Sequence, residues 1–102
     1  MASDLEIILL TALQRLGDES YSTAIHEQVL GDEGKDLSPG ALLTMLYRME
    51  EKGYVSSRFS DPIAARGGRR RRMFRIEGLG IRALQEHDLL VQFRGGVQGV
   101  PA

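Results

Sequence analysis

Six of the thirteen Lys and Arg residues lie in one ten-residue stretch, Arg66–Arg75. A glycine pair, Gly67 and Gly68, follows the first arginine, and the stretch ends in alternating apolar residues, which indicates a turn leading into a strand. Clustered guanidinium groups bind polyanions because they release the counterions condensed on phosphates. We therefore predict a glycine-tipped basic hairpin that contacts nucleic acid. The alternative is a solvated basic loop without a specific partner.

Side chains alternate across a hairpin, so Arg70 and Arg72 share one face while Arg69 and Arg71 share the other. One set is expected to point at DNA and the other to pair with acidic helices or remain solvated. The glycines allow a tight tip that follows the DNA backbone or enters the minor groove. The predicted DNA contacts of this hairpin are Arg66, Gly67, Gly68, Arg69 and Arg71.

A second candidate surface is a helix predicted to open at Ser38 and Pro39 and to end at Gly53, by the preferences of helix caps. Its outward side begins with small and polar residues and carries no acidic residue before Glu50, which suits close approach to DNA. The predicted DNA-contacting residues of this helix are Ser38, Gly40, Ala41, Thr44, Tyr47 and Arg48. The alternative is a solvated helix face, and the Tyr47 ring is expected either to bond phosphate or to stack on Met73.

Charge is divided unevenly along the chain, whose 102 residues suffice for one domain with one modest core. Residues 1–47 carry eight acidic and two basic residues, a net charge of −6, whereas residues 48–102 carry eleven basic and six acidic residues, a net charge of +5. Such a division lets a basic face bind nucleic acid while the whole chain, at −1, stays soluble.

Several classes of protein are disfavoured. The chain has no cysteine, no apolar run near the ~18 residues of a membrane span and no signal-peptide pattern, so we expect a cytoplasmic protein. We find no nucleophile–base pair, metal-ligand cluster or phosphate-cradling loop, so neither an enzyme nor a metal or other cofactor is expected. His26 and His87 are interpreted as solvated helix residues.

Hydrophobic periodicity and turn residues place the surfaces on a framework. Helices are predicted over 4–16, from after residue 20 to about 30, over 38–53 and from 78 to 94, with strands over 54–59 and 70–76. This order predicts a mostly α fold with a small β-hairpin, a winged helix-turn-helix with a two-stranded wing. The predicted division is a DNA-binding domain at 1–77, a C-terminal dimerisation helix at 78–94 and a disordered tail at 95–102.

The first and last predicted helices carry more apolar residues than one monomer core needs. A seam between two copies of the chain explains these extra positions, which would also line any ligand cavity. The predicted dimer interface consists of Ile7, Leu10, Leu84, Leu89, Leu90 and Phe93.

Two segments resemble PadR-family transcriptional regulators. Residues Ser38–Val55 resemble the third helix of that family, and Arg66–Gly80 resembles its wing and the start of its last helix; Glu19–Ile25 matches its second helix more loosely. The resemblance covers roughly residues 5–90. It implies a homodimer held by the C-terminal helix against the partner's first helix, repression of a neighbouring operon and, in some members, relief by a small hydrophobic ligand. A dimer predicts an inverted-repeat operator with half-sites ~34 Å apart.

A winged helix also serves in other roles. One alternative is a protein–protein adaptor whose wing faces an acidic partner, and another is an RNA-binding module. The acid-free leading edge of the third helix favours double-stranded DNA over an adaptor, which has no need of it.

Overall fold

A computed structural model describes residues 2–60 and 71–99 of the chain. Within those ranges the elements are α1 (Asp4–Leu16), β1 (Ser20–Tyr21), α2 (Ser22–Glu33), α3 (Pro39–Glu51), β2 (Val55–Phe59), β3 (Arg72–Ile76) and α4 (Gly78–Gly99). Three helices, a small antiparallel sheet and a last helix form a winged helix, so the predicted fold class is confirmed.

The first helix has the predicted bounds because both ends carry strong signals. Ser3 and Glu6 form a capping box: the Ser3 hydroxyl accepts from the Glu6 backbone N–H at 3.2 Å, and the Glu6 carboxylate accepts from the Ser3 N–H at 2.8 Å. Gly17 ends α1 with φ of +90°, a conformation that residues with a Cβ rarely adopt.

The second helix is longer than predicted. It continues through Gly31 to Glu33, and Gly34 ends it in the left-handed conformation with φ of +67°. Asp32 holds the last turn, because its carboxylate accepts from Gln28 at 2.9 Å and pairs with Arg15 of α1 at 2.8 Å.

The sheet has three strands in the order β1-β3-β2, one more than predicted. Ser20 and Tyr21 pair with Phe74 and Met73 of β3, a bridge too short to leave an alternating pattern in the sequence. On the other side of β3, Phe59 of β2 lies opposite its first residue. β3 is therefore the central strand, with β1 on one side and β2 on the other.

The last helix begins at Gly78, as expected, but its backbone stays helical to Gly99, beyond the predicted end at Arg94. Extending an existing helix is cooperative, and each glycine of the pair at 95–96 costs only about 1 kcal/mol relative to alanine. The described helix thus includes residues 95–99 of the predicted tail, and residues 100–102 lie outside the described ranges.

One core joins α1, α2, α3, the sheet and the first turns of α4. Its buried apolar members are Leu9, Leu10, Ala12, Leu13, Ile25, Val29, Leu42, Leu46, Met49, Val55, Phe74 and Leu84. Leu10 is fully buried and Leu84 is only 4% exposed within the single chain. Their assignment to the dimer interface is therefore corrected, because they have no surface left for a partner. The hydrophobic periodicity placed Leu10 outside the main apolar face of α1. In the structure, α4 packs against this side of α1 and covers Leu10.

A close approach fixes α4 against the rest of the fold. A Cβ placed on Gly80 would overlap the carbonyl oxygen of Tyr54 and lie 2.9 Å from Ile76 Cγ1 and 3.0 Å from Leu10 Cδ2. Only glycine fits where the helix crosses both the base of the hairpin and α1.

Candidate nucleic-acid interface

The outer face of α3 is set by its N-terminus. Ser38 caps the helix, since its hydroxyl accepts from the backbone N–H of Ala41 at 3.2 Å, and Pro39 occupies the first turn. Leu42, Leu46 and Met49 point into the core, which turns the opposite side to solvent. All six residues predicted to contact DNA on this helix are exposed: Ser38, Gly40, Ala41, Thr44, Tyr47 and Arg48.

This face is shallow at its N-terminal end and polar further along the helix. Gly40 has no neighbouring atom within 4 Å of an added Cβ, and Ala41 adds only a methyl group, so the leading edge is shallow. Thr44 follows one turn later with a hydroxyl that donates and accepts, and Arg48 one turn further carries a guanidinium group. The described first turn of α3 holds no acidic residue that would repel phosphates.

Tyr47 lies at the junction between α3 and the hairpin. Its ring centroid is 5.9 Å from that of the buried Phe74, with the ring planes tilted by 53°. The guanidinium carbon of Arg72 lies 5.3 Å from the Tyr47 centroid. Tyr47 thus contacts Phe74 and Arg72 of β3, and 39% of the residue is exposed.

The side chains of the two arginines at the start of β3 point in different directions, as the alternation of side chains along a strand predicts. Arg72 turns towards α3, whereas Arg71 stacks on Tyr21 with 4.1 Å from its guanidinium carbon to the ring centroid. Arg71 Nη2 also donates to Thr23 Oγ1 at 3.0 Å, so this predicted phosphate contact lies beside the start of α2. The other four wing residues predicted to contact DNA, Arg66, Gly67, Gly68 and Arg69, lie outside the described residues.

The residues that contact these two arginines were not predicted from the sequence. Tyr21 and Thr23 at the start of α2 contact Arg71, and Phe59 and Ser57 of β2 contact Arg72. Aromatic residues before and after the basic run were the available signal, because guanidinium groups stack on aromatic rings. The pairing of Tyr21 with β3 depends on a tertiary contact and leaves no local pattern.

Two ion pairs connect the elements around this surface. Lys52, which caps the C-terminus of α3, donates to Glu6 of α1 at 2.8 Å, and Arg58 of β2 donates to Glu19 through two nitrogens at 2.6 and 2.7 Å. The hydrogen bonds from Arg58 hold the pKa of the Glu19 carboxyl below its usual range. Burial raises the pKa of the Glu6 carboxyl, but hydrogen bonds from Lys52 and Ser3 and the charge of Lys52 outweigh burial and lower it overall.

A second surface lies away from α3, on α4. Of the residues predicted to form a dimer seam, Leu89, Leu90 and Phe93 are exposed, with Phe93 69% accessible, while Ile7 is partly buried against the core. A groove of about 280 Å³ runs between α1, the end of α2 and α4. Its lining includes the apolar side chains of Ile7, Ile8 and Val29 and the acidic side chains of Asp4, Asp32 and Glu33.

Over residues 2–60 and 71–99, no helix is long and apolar enough to cross a membrane, and no three His, Asp or Glu side chains are grouped as metal ligands.

Solved structures with the same fold are numerous. A PadR family transcription regulator from hypervirulent Clostridium difficile has a TM-score of 0.75 and 23% identity, over 93% of this chain and 94% of that one. A PadR-like transcription factor from Bacteroides fragilis has a TM-score of 0.75 and 18% identity, over 95% and 89%. A winged-helix DNA-binding protein from STIV has a TM-score of 0.68 and 14% identity, over the whole of both chains. No protein-family model and no curated protein sequence matches the chain.

Proposed function

We propose that this chain is a sequence-specific double-stranded-DNA-binding transcriptional regulator of the PadR type, working as a homodimeric repressor of a neighbouring operon in the cytoplasm. The proposal gives it no enzymatic activity, metal or other cofactor. A small hydrophobic effector that relieves repression is part of the proposal, with the apolar groove beside α4 as its candidate site. The fold shared with solved PadR-type regulators supports this assignment.

The observation that carries the proposal is the position of the first residue of β3 beside α3. Arg72 of β3 lies 5.3 Å from the Tyr47 ring of α3, so the strand that leaves the arginine-rich segment starts at the exposed helix face. A duplex whose major groove holds α3 would then pass the hairpin at the same time. We propose Ser38, Gly40, Ala41, Thr44, Tyr47 and Arg48 as the helix contacts and Arg66, Gly67, Gly68, Arg69 and Arg71 as the wing contacts.

Binding to the DNA upstream of the chain's own gene tests the function. Labelled duplexes that tile this intergenic region are titrated and followed by fluorescence anisotropy, with shuffled duplexes of equal composition as the control. We expect one duplex that contains an inverted repeat to bind at least about 10³-fold more tightly than its shuffled version. Equal affinity for all duplexes would contradict sequence-specific regulation.

An RNA-binding role is the second candidate, favoured by the stacking of Arg71 on Tyr21, since guanidinium–aromatic surfaces also bind single-stranded bases. Single-stranded RNA of the same sequence, added as a competitor to the anisotropy assay, distinguishes the two. Preference for the RNA would favour this alternative.

A further inference from the structure

One side chain in the arginine run joins three elements. Arg72 Nη1 of β3 donates to Ser57 Oγ of β2 at 2.7 Å and lies 3.8 Å from Glu50 Oε1 of α3. The Ser57 hydroxyl in turn donates its proton to Glu50 Oε2 at 2.7 Å. Ser57 thus accepts from the arginine and donates to the carboxylate, which fixes the direction of the whole chain of hydrogen bonds.

Two aromatic rings from different elements hold the same guanidinium group. Its carbon lies 4.5 Å from the Phe59 centroid of β2 and 5.3 Å from the Tyr47 centroid of α3. A planar guanidinium group can stack on rings and donate hydrogen bonds in its own plane at once, which an ammonium group cannot do. The site is therefore built for arginine rather than for positive charge alone.

Alternation along β3 explains why Arg72 differs from its neighbours. It shares a face with Phe74, which is fully buried, so its side chain runs along the edge of the core and only 31% of it is accessible. Arg75 lies on the opposite face, is 56% accessible and pairs with Glu77 at 3.3 Å. The two arginines carry the same charge on one strand but have different surroundings.

We infer that Arg72 is a positioning residue, which sets the angle between α3 and the hairpin through Ser57 and Glu50 and does not bind phosphate. This inference rests on the proposed DNA-binding function. The arginine run is then divided by role: Arg72 aligns the two DNA-contacting surfaces, and the charge offered to the duplex comes from other members of the run. Misalignment of the surfaces weakens specific binding more than non-specific binding, which needs only charge.

Four variants distinguish a role of Arg72 in aligning α3 with the hairpin from a contact of its charge with phosphate. Ser57→Ala breaks the hydrogen-bond chain without changing charge, Arg72→Met removes the charge and keeps the length, and Arg72→Lys keeps the charge without the planar group. Arg75→Met is the matched control for the loss of one positive charge on β3. Each is titrated by anisotropy with the specific duplex and its shuffled version, across a salt series, after thermal melts have confirmed folding.

We expect Ser57→Ala and both Arg72 variants to weaken specific binding about fivefold to tenfold, with the slope of log Kd against log salt unchanged and the specific-to-shuffled ratio reduced. Arg75→Met should leave that ratio unchanged. A slope lower by ~1 in Arg72→Met, restored in Arg72→Lys, would show a phosphate contact and overturn the inference. Wild-type affinity in all three test variants would overturn it too.

Failure of the proposed function would look different. The wild-type chain would then show no preference for any upstream duplex at any salt concentration, whatever the variants do. If Arg72→Met does not fold, Ser57→Ala and Arg72→Lys still decide between alignment and charge, because one preserves the arginine and the other preserves its charge.

Discussion

At the scale of single residues, the exposed side of α3 combines small residues that would allow close approach to DNA with polar residues that could hydrogen-bond to it. Gly40 and Ala41 contribute little beyond their small size, whereas Thr44 and Arg48 carry groups that can hydrogen-bond to bases and phosphates. We therefore expect Thr44 to contribute mainly to sequence specificity and Arg48 mainly to overall affinity for DNA.

The first prediction concerns that separation. Thr44→Val removes the hydroxyl at nearly constant shape and should weaken specific binding about tenfold, with little effect on a shuffled duplex. Arg48→Ala should weaken both and lower the salt slope by ~1, as expected for a phosphate contact. Anisotropy across salt measures both effects, and Arg82→Ala, an exposed arginine on α4, is the charge-matched control. Loss of affinity in Arg82→Ala equal to that in Arg48→Ala would argue against α3 as the contact surface.

The second prediction concerns the ion pair between α1 and α3. The Glu6 carboxylate is almost fully buried and accepts from Lys52 Nζ at 2.8 Å, and the folded-state pKa of Glu6 lies below its ordinary value. A lowered pKa means that the stabilisation is present above the ordinary glutamate pKa and is lost as pH falls through the folded-state value. Glu6→Gln should therefore lower the free energy of unfolding by about 1–2 kcal/mol at neutral pH.

The difference between wild type and Glu6→Gln should be full at neutral pH and smaller at an acidic pH below the lowered folded-state pKa of Glu6, where the wild-type carboxyl becomes protonated. Urea unfolding followed by circular dichroism at both pH values measures it. Glu86→Gln, on the exposed side of α4, is the control and should change the free energy of unfolding by less than about 0.5 kcal/mol at neutral pH. A constant difference at both pH values would mean that packing, and not charge, explains the loss.

At the scale of elements, helix ends were predicted best where the residues at that end are themselves capping or helix-terminating residues. Ser3 with Gly17 and Ser38 with Pro39 define α1 and the start of α3 locally, and those bounds are confirmed. The end of α2 was missed because a hydrogen bond and an ion pair to Asp32 carry the helix past Gly31. Local turn preferences contain no information about such partners.

The candidate site was predicted unevenly for the same reason. The exposed face of α3 follows from one helical period, so all six of its predicted residues lie at the surface. The roles of the arginines depend on what packs against each face of β3, which alternation alone does not reveal. Arg71 against Tyr21 and Arg72 against Phe59 are set by tertiary contacts.

The third prediction tests the contact between α4 and the hairpin base. Gly80→Ala places a methyl group against the carbonyl oxygen of Tyr54, where backbone on both sides must shift. We expect a loss of about 2–4 kcal/mol in the free energy of unfolding, measured by urea titration. Gly31→Ala is the matched control: an added Cβ has open space there, and alanine inside α2 should stabilise by about 0.5–1 kcal/mol. Equal stability of the two variants would contradict this close approach.

At the scale of the whole molecule, the shape of the chain and its exposed apolar side chains are the grounds for the proposed dimer. The chain extends 63 × 26 × 21 Å, with a radius of gyration of 15.8 Å against the ~13 Å expected for a compact domain of this size. The 22 residues of α4 span about 33 Å and reach beyond the core, which they contact through their first turns. A projecting helix with exposed apolar side chains is typical of a chain that pairs with a second copy.

The fourth prediction is that this pairing depends on the far part of α4. Leu89 and Phe93 are 66% and 69% exposed and lie one helical turn apart, so a charge at either position would be buried without a partner in any dimer that covers them. Wild-type chain at ~10 μM should sediment as a dimer of about twice 11.3 kDa, while Leu89→Asp and Phe93→Asp should sediment as folded monomers.

Gln85→Asp separates the loss of an apolar contact from the gain of a charge, because it adds the same charge to an exposed polar position of α4. We expect this control to remain a dimer. The monomeric variants should also lose at least about 10²-fold in affinity for an inverted-repeat duplex, since two linked half-sites bind more tightly than one. A monomeric wild type, or dimers in all three variants, would leave the apolar face of α4 without the role proposed here and require another surface to bring two DNA-contacting helices together.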